Sequence, residues 1–227
     1  MLYKQHEYRG CTFWDWHSSN AFKFIKHEID VGAPGSGLKC YDLQQGDVVI
    51  DIGAHIGMLS TLMAKENPGV TFYAFEPMPE TFEALKRNIK ANDIHNVRPL
   101  QFGIAGTPCT RFMASNLDDN TGGSTMWAKS SALIHTHSVA CITLENAWEL
   151  AGKGPVKLLK IDCEGAEHEF IRASLNSEFW KHVHHCVGEL HENELLNKAG
   201  YSNKATQATL GQITSGTVRF QAITMAQ

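Results

Sequence analysis

Between Asp47 and Leu100 the chain alternates three short β-rich runs with two helix-patterned segments. DVVIDIG is a nearly continuous apolar run ending in an acid and a glycine, the pattern of a strand buried on both faces. MLSTLMAKEN follows with helical spacing and is closed by Pro68-Gly69. VTFYAFEP is a second β-rich run, ETFEALKRNIKAN puts Phe82, Leu85 and Ile89 on one helical face, and VRPLQF is a third. Strand, helix, strand, helix, strand at this spacing predicts right-handed βαβ units and a parallel sheet.

Residues 109–143 interrupt the alternation: TRFMAS and SVACIT read as strands around the polar loop SNLDDNTGGST. Helix LENAWELAG, buried strand VKLLKID, helix EHEFIRASL, strand HHCVGEL and short helix ENELLNKAG then resume it. The tail from Thr206 to Met225 reads as two β segments, an antiparallel hairpin at the sheet edge. Ahead of Gly46, CTFWDWH gathers aromatics, AFKFIKHEI has helical spacing, and VGAPGSGLK is a connector, since no G-K-[ST] follows its glycines. Residues 1–45 are therefore expected as an extension and 46–227 as one doubly wound α/β domain. Phe13, Trp14 and Trp16 suit either a lid or the apolar plug that docks this extension, the plug being preferred.

Charge narrows the partners. Twenty Lys and Arg against 24 Asp and Glu give −4 over 227 residues, with no basic stripe, which argues against nucleic acid. The apolar runs fall far short of the ~20 residues that cross a bilayer. MLYKQHEYRG has no apolar core of a secretory signal, and six scattered cysteines without a C-x-x-C pair suit a reducing compartment. The expectation is a cytoplasmic chain with neither nucleic-acid nor membrane partner.

Three motifs carry chemistry. In Asp51-Ile52-Gly53-Ala54-His55-Ile56-Gly57, glycines at a strand-to-helix turn let backbone approach a ligand. A dinucleotide fingerprint wants three glycines there, and Asp51 would repel a pyrophosphate but could hold the ammonium of a methionine moiety. Glu76, nineteen residues past Gly57, ends the next strand where an acid accepts bonds from ribose hydroxyls, and Pro77 and Met78 offer an apolar wall to adenine. Lys160 and Asp162 share one side of a strand near its carboxyl end. A lysine in so apolar a run needs a carboxylate, with Asp162, Glu164 and Glu189 as candidates.

In order along Asp47 to Glu189, DIGAHIG, FEP, NIKAN, NTGGST, KIDCEGAE and GELH together resemble the FkbM-type methyltransferases. The resemblance implies S-adenosyl-L-methionine as cofactor and O-methylation of a hydroxyl on a sugar, glycan or polyketide-like small molecule. It implies a Rossmann-like, mostly parallel seven-stranded sheet with helices on both faces. By position it sets Asp51, Gly53, Ala54, His55 and Gly57 around the methionine end, Glu76 and Pro77 at the ribose, and Gln101, Phe102 and Gly103 near the adenine. Gly123 and Ser124 fall in a loop beside the cofactor, and Asp162 near the methyl. His55 stands where many relatives have asparagine, and Glu145 where aspartate is commoner.

An alcohol is a poor nucleophile, so its methylation needs a base or a metal. Asp162 is expected to accept the proton or orient the acceptor, within a polar shell of Lys160, Glu164, Glu189 and His191. Glu189 and His191 are two apart on a strand, and with Asp162 they could instead bind a divalent metal, the less favoured alternative. Two other classes stay open: a nicotinamide-dependent oxidoreductase, against which Asp51 and the missing glycine count, and a non-catalytic cofactor-binding module.

Overall fold

A computed structural model describes residues 3–33, 41–116, 120–125, 127, 135–214 and 216–225. Strands β1 (Tyr3–Tyr8) and β2 (Cys11–Trp16) pair antiparallel, and helix α1 (Ala21–Val31) follows, capped by Gly32 in the left-handed region. The expected connector falls largely at 34–40, and part of the expected polar loop at 117–119; both stretches lie outside the described residues.

The predicted alternation then appears as β3 (Val48–Ile52), α2 (Met58–Glu66), β4 (Thr71–Phe75), α3 (Pro79–Ala91) and β5 (Val97–Leu100). Four strands interrupt it: β6 (Gly103–Ile104), β7 (Cys109–Asn116), β8 (Asn120–Thr125) and β9 (His135–Ile142). It resumes with α4 (Leu144–Leu150), β10 (Val156–Ile161), α5 (Glu167–Ala173), a 3-10 turn (Glu178–His182) and β11 (Val183–Glu192). Helices α6 (Glu194–Lys198) and α7 (Asn203–Ile213) lead to β12 (Thr217–Thr224).

The main sheet runs β12-β11-β10-β3-β4-β5, and every pairing in it is parallel. Strand alternation feeds two apolar layers. Ile50, Ile52, Leu159 and Ile161 pack with Leu144 and Trp148 of α4, Phe170 of α5 and Leu210 of α7. Val49, Phe72, Ala74 and Leu158 pack on the other face with α2 and α3 through Leu59, Met63, Phe82, Leu85 and Ile89. A doubly wound sheet results, as expected. The chain builds outward from β3 in one direction and from β10 in the other, so the crevice between their carboxyl ends is the topological switch point.

Two details of the expected sheet are corrected. It holds six strands rather than seven among the described residues, and its C-terminal edge is a single parallel strand rather than an antiparallel hairpin. The tail was misread because its threonines and glycines suggest β structure. Instead, Ser202 caps a helix by accepting from Ala205 N, and Thr206 and Leu210, four apart, bury its inner face. With a helix joining them, β12 can return parallel to β11. The segment NTGGST, expected as loop, is also a strand, β8, antiparallel to β7 in a separate sheet ordered β6-β9-β7-β8.

The aromatic cluster ahead of the domain docks the hairpin. Phe13 is fully buried among Phe22, Ile56, Met58, Leu62 and Ala84, and the Arg87 guanidinium lies 3.7 Å from the Trp14 ring centre. Among the described residues no helix is long and apolar enough to cross a membrane.

Candidate active site

A pocket opens at the carboxyl ends of β3, β4 and β10. Its floor is the glycine turn. Gly53 (φ +78°) lies so close to β10 that a Cβ would stand 1.7 Å from the Asp162 carbonyl oxygen, so only glycine fits. Gly53 N and Ala54 N both donate to Phe75 O, and His55 N donates to Glu76 Oε2 at 2.9 Å. The other Glu76 oxygen accepts from Met78 N at 2.9 Å. Burial pushes the Glu76 carboxyl up to about 7, against these two backbone donors.

His55 Nε2 meets Thr121 Oγ1 at 2.8 Å, Thr121 Oγ1 meets Ser19 Oγ at 3.0 Å, and Ser124 Oγ donates to Thr121 O. The glycine turn, the inserted sheet and the N-terminal segment are thereby tied at one point. Burial lowers the His55 imidazole to about 4, so it is neutral. Its Nδ1 is buried without a hydrogen-bond partner among the described residues.

Lys160 lies behind this floor. Its Nζ donates to Gly53 O at 2.9 Å and stands 3.2 Å from Asp162 Oδ2 and 3.4 Å from Asp51 Oδ1. Burial alone would raise the Asp162 carboxyl, but Lys160 and His191 outweigh it and hold Asp162 below its ordinary value. Asp162 is consequently a weak base.

His191 anchors the far wall and is 2% exposed. Its Nδ1 lies 3.1 Å from Glu167 Oε1, while its Nε2 faces Glu189 Oε2 at 3.5 Å, Glu164 Oε2 at 3.7 Å and Asp162 Oδ1 at 3.8 Å. Burial opposes charging of this imidazole, but the surrounding carboxylates, Glu167 and Glu189 foremost, push it up to about 11. Burial likewise drives the Glu164 carboxyl up to about 8.

The match of residues 51–210 to the model of the methyltransferase FkbM domain spans most of the chain. The chain belongs to the FkbM methyltransferase family. It is 32% identical over 190 residues to methyltransferase sdnD of Sordaria araneosa, covering 67% of this chain and 71% of that protein. It is 28% identical over 185 residues to 31-O-demethyl-FK506 methyltransferase FkbM of Streptomyces tacrolimicus, covering 68% and 71%. With hexuronic acid methyltransferase AglP of Haloferax volcanii it shares 25% over 176 residues, covering 73% and 68%.

In this FkbM-family chain, Gly53, His55, Glu76 and Pro77 line the pocket, as do Phe102, Gly103, Ser124, Asp162 and Glu189. Ala54 borders a smaller adjoining cavity with Lys160 and Asp162. Five expected residues stand elsewhere, Gly123 being exposed on β8 outside the lining. Asp51 shares the Val49 face of β3, under α2, where Ser60 donates to it at 2.6 Å. Gly57 caps the start of α2 with φ +74°, a left-handed conformation that calls for glycine, and it packs against Leu85 rather than the pocket. Gln101 is exposed outside the pocket lining, and Met78 is buried with Met113 and Val139. The family-typed NIKAN segment supplies Asn88 and Asn92, which bond the backbone of β2.

Sequence reasoning gave this segment helical spacing but not its place in the site: Ala21, Phe24, Ile25 and Glu28 of α1 form the pocket's outer wall. Burial, with Glu189 and Asp162 nearby, raises the Glu28 carboxyl to about 7. The available signal was the position of Glu28 one turn from Ile25 and next to Ile29, on the edge of the apolar face. Thr121 was missed as well, because nothing local marks it as the partner of His55.

Proposed function

We propose that this methyltransferase moves the methyl group of S-adenosyl-L-methionine onto a hydroxyl of a sugar, glycan or polyketide-like acceptor. One observation carries the cofactor assignment. Five carboxylates line the pocket, from Glu28, Glu76, Asp162, Glu164 and Glu189, and no Lys or Arg does among the described residues. A sulfonium or ammonium would draw these carboxyls into their ionised forms and be held by them, whereas those already ionised would repel a pyrophosphate. The nicotinamide alternative therefore lacks support here.

In this reading the Glu76 carboxylate, fixed by two backbone donors, accepts from the ribose hydroxyls. Phe75, Phe102 and Ile104 offer the apolar surface an adenine needs, with Pro77 beside them. The methionine end lies along Gly53 and His55, which brings the methyl toward Asp162. Asp162, kept ionised by Lys160, orients the acceptor hydroxyl, and Lys160 acts as a positioning residue. Glu189 and His191 complete the acceptor side. Oxygen as the methylated atom is supported by the name of one relative, a 31-O-demethyl-FK506 methyltransferase, and a sugar acceptor by that of another, a hexuronic acid methyltransferase.

Turnover tests the reading. Incubation with ¹³C-methyl cofactor and a panel of sugars, uronic acids and hydroxylated polyketides should release S-adenosylhomocysteine and yield a labelled methyl ether. Label appearing on nitrogen or carbon instead would overturn the O-methyl assignment.

A further inference from the structure

Three carboxylates converge on one imidazole nitrogen. His191 Nε2 stands 3.5–3.8 Å from oxygens of Glu189, Glu164 and Asp162, and the ligand atoms of Asp162, Glu164 and His191 all lie within 4.8 Å of one another. Two donors each about 2.1 Å from one metal ion stand roughly 3.0–3.5 Å apart, so side-chain rotations that draw the set together by up to about 2 Å would close it around a cation. We propose that Asp162, Glu164, Glu189 and His191 form a divalent-cation site of the magnesium/manganese class on the acceptor side of the pocket.

The orientation of His191 is the second, independent support. The ring is almost completely buried, and its other nitrogen is engaged by Glu167, the carboxylate–histidine arrangement that aims a ligating nitrogen; a bound cation would take the place of the Nε2 proton. Glu167 is itself pinned: Gly165 N donates to Oε2, His191 N donates to Oε1, and Cys163 Sγ points to Oε2. With Nδ1 held in this way, Nε2 is aimed into the pocket at the three acids. Glu164 comes from the tight turn after β10, where its own carbonyl accepts from Thr125 Oγ1 at 2.6 Å. Asp162, Glu164 and Glu189 all face the pocket, so the remaining coordination positions are open to water or to an acceptor oxygen.

The donor set selects the ion. One imidazole with carboxylate oxygens suits Mn²⁺ or Mg²⁺, whereas the neighbouring thiol, Cys163, is turned onto Glu167 and away from the set. The ion's role rests on the methyl-transfer reading: a cation here would lower the pKa of an acceptor hydroxyl and hold it toward the methyl. Its binding does not rest on that reading.

Mn²⁺ titration of the metal-stripped protein, read by loss of the free-ion electron paramagnetic resonance signal, tests the site, with S-adenosylhomocysteine titrated in parallel. One saturable ion per chain is expected. Glu164→Gln and Glu189→Gln should each weaken it, and Glu167→Gln, one shell removed, by about 10–100-fold. All three variants should keep cooperative thermal unfolding. A wild-type protein that binds S-adenosylhomocysteine but no Mn²⁺ would overturn the site, as would binding that these substitutions leave unchanged. Mn²⁺ binding without adenosyl binding would instead sink the methyltransferase cofactor assignment.

Discussion

Asn88 of α3 pairs with the backbone of Trp14 as a neighbouring strand would: Oδ1 accepts from Trp14 N at 2.7 Å, and Nδ2 donates to Trp14 O at 3.1 Å. The same amide donates to Ile56 O at 2.8 Å, beside the glycine turn. One turn on, Asn92 repeats the arrangement with Thr12. A helix thus satisfies the open edge of the hairpin that leads into α1.

Asn88→Ala should destabilise the protein by about 2–4 kcal/mol, since it strands three backbone groups, Trp14 N, Trp14 O and Ile56 O. Denaturant unfolding measures this directly. Limited proteolysis of the variant should cut first within residues 1–33. A loss under about 0.5 kcal/mol would show that apolar packing of Phe13 alone docks the hairpin.

Lys160 joins two carboxylates and a carbonyl that would otherwise be buried together. Lys160→Met should cost about 3–5 kcal/mol, because it leaves the buried Asp51 carboxylate facing Asp162 without its counter-charge. Adding Asp51→Asn to Lys160→Met should recover part of that loss. Simple additivity in this double-mutant cycle would contradict the coupling.

Glu76 sets a pH dependence. Its folded pKa, about 7, lies above the ordinary carboxylate value because of burial, so the protonated form favours folding. That contribution is complete below about pH 4.5 and is lost as pH rises through 7, to a total of roughly 3 kcal/mol at most. In ligand-free protein, the melting temperature of Glu76→Gln relative to wild type should therefore rise between pH 5 and pH 8. A difference flat across that window would place the ionised carboxylate in a better solvated setting than its burial indicates.

The elements β3 to β5 and β10 to β11 were legible in sequence because period, glycine turns and strand-end acids are local signals. Glu76 was found for the same reason. The setting of Asp51 was not legible: which face of β3 it takes, and its pairing with Lys160, depend on a register 109 residues away in the chain. The tail failed differently. Propensity favoured strand over 206–213, and the Ser202 cap, together with burial of Thr206 and Leu210 against the sheet, prevailed. Glu28 became part of the pocket only through tertiary docking of the hairpin, which no local pattern expresses.

The central claim is that an acid-lined pocket at the β3/β10 switch point holds an adenosyl cofactor through Glu76. Calorimetric titration of S-adenosylhomocysteine and of NAD into wild-type protein and Glu76→Ala tests it most directly. One adenosylhomocysteine site per chain is predicted, with no NAD binding and affinity at least about tenfold weaker in the variant, the loss of hydrogen bonds to a charged acceptor. NAD binding without adenosylhomocysteine binding, or affinity unchanged by Glu76→Ala, would contradict it.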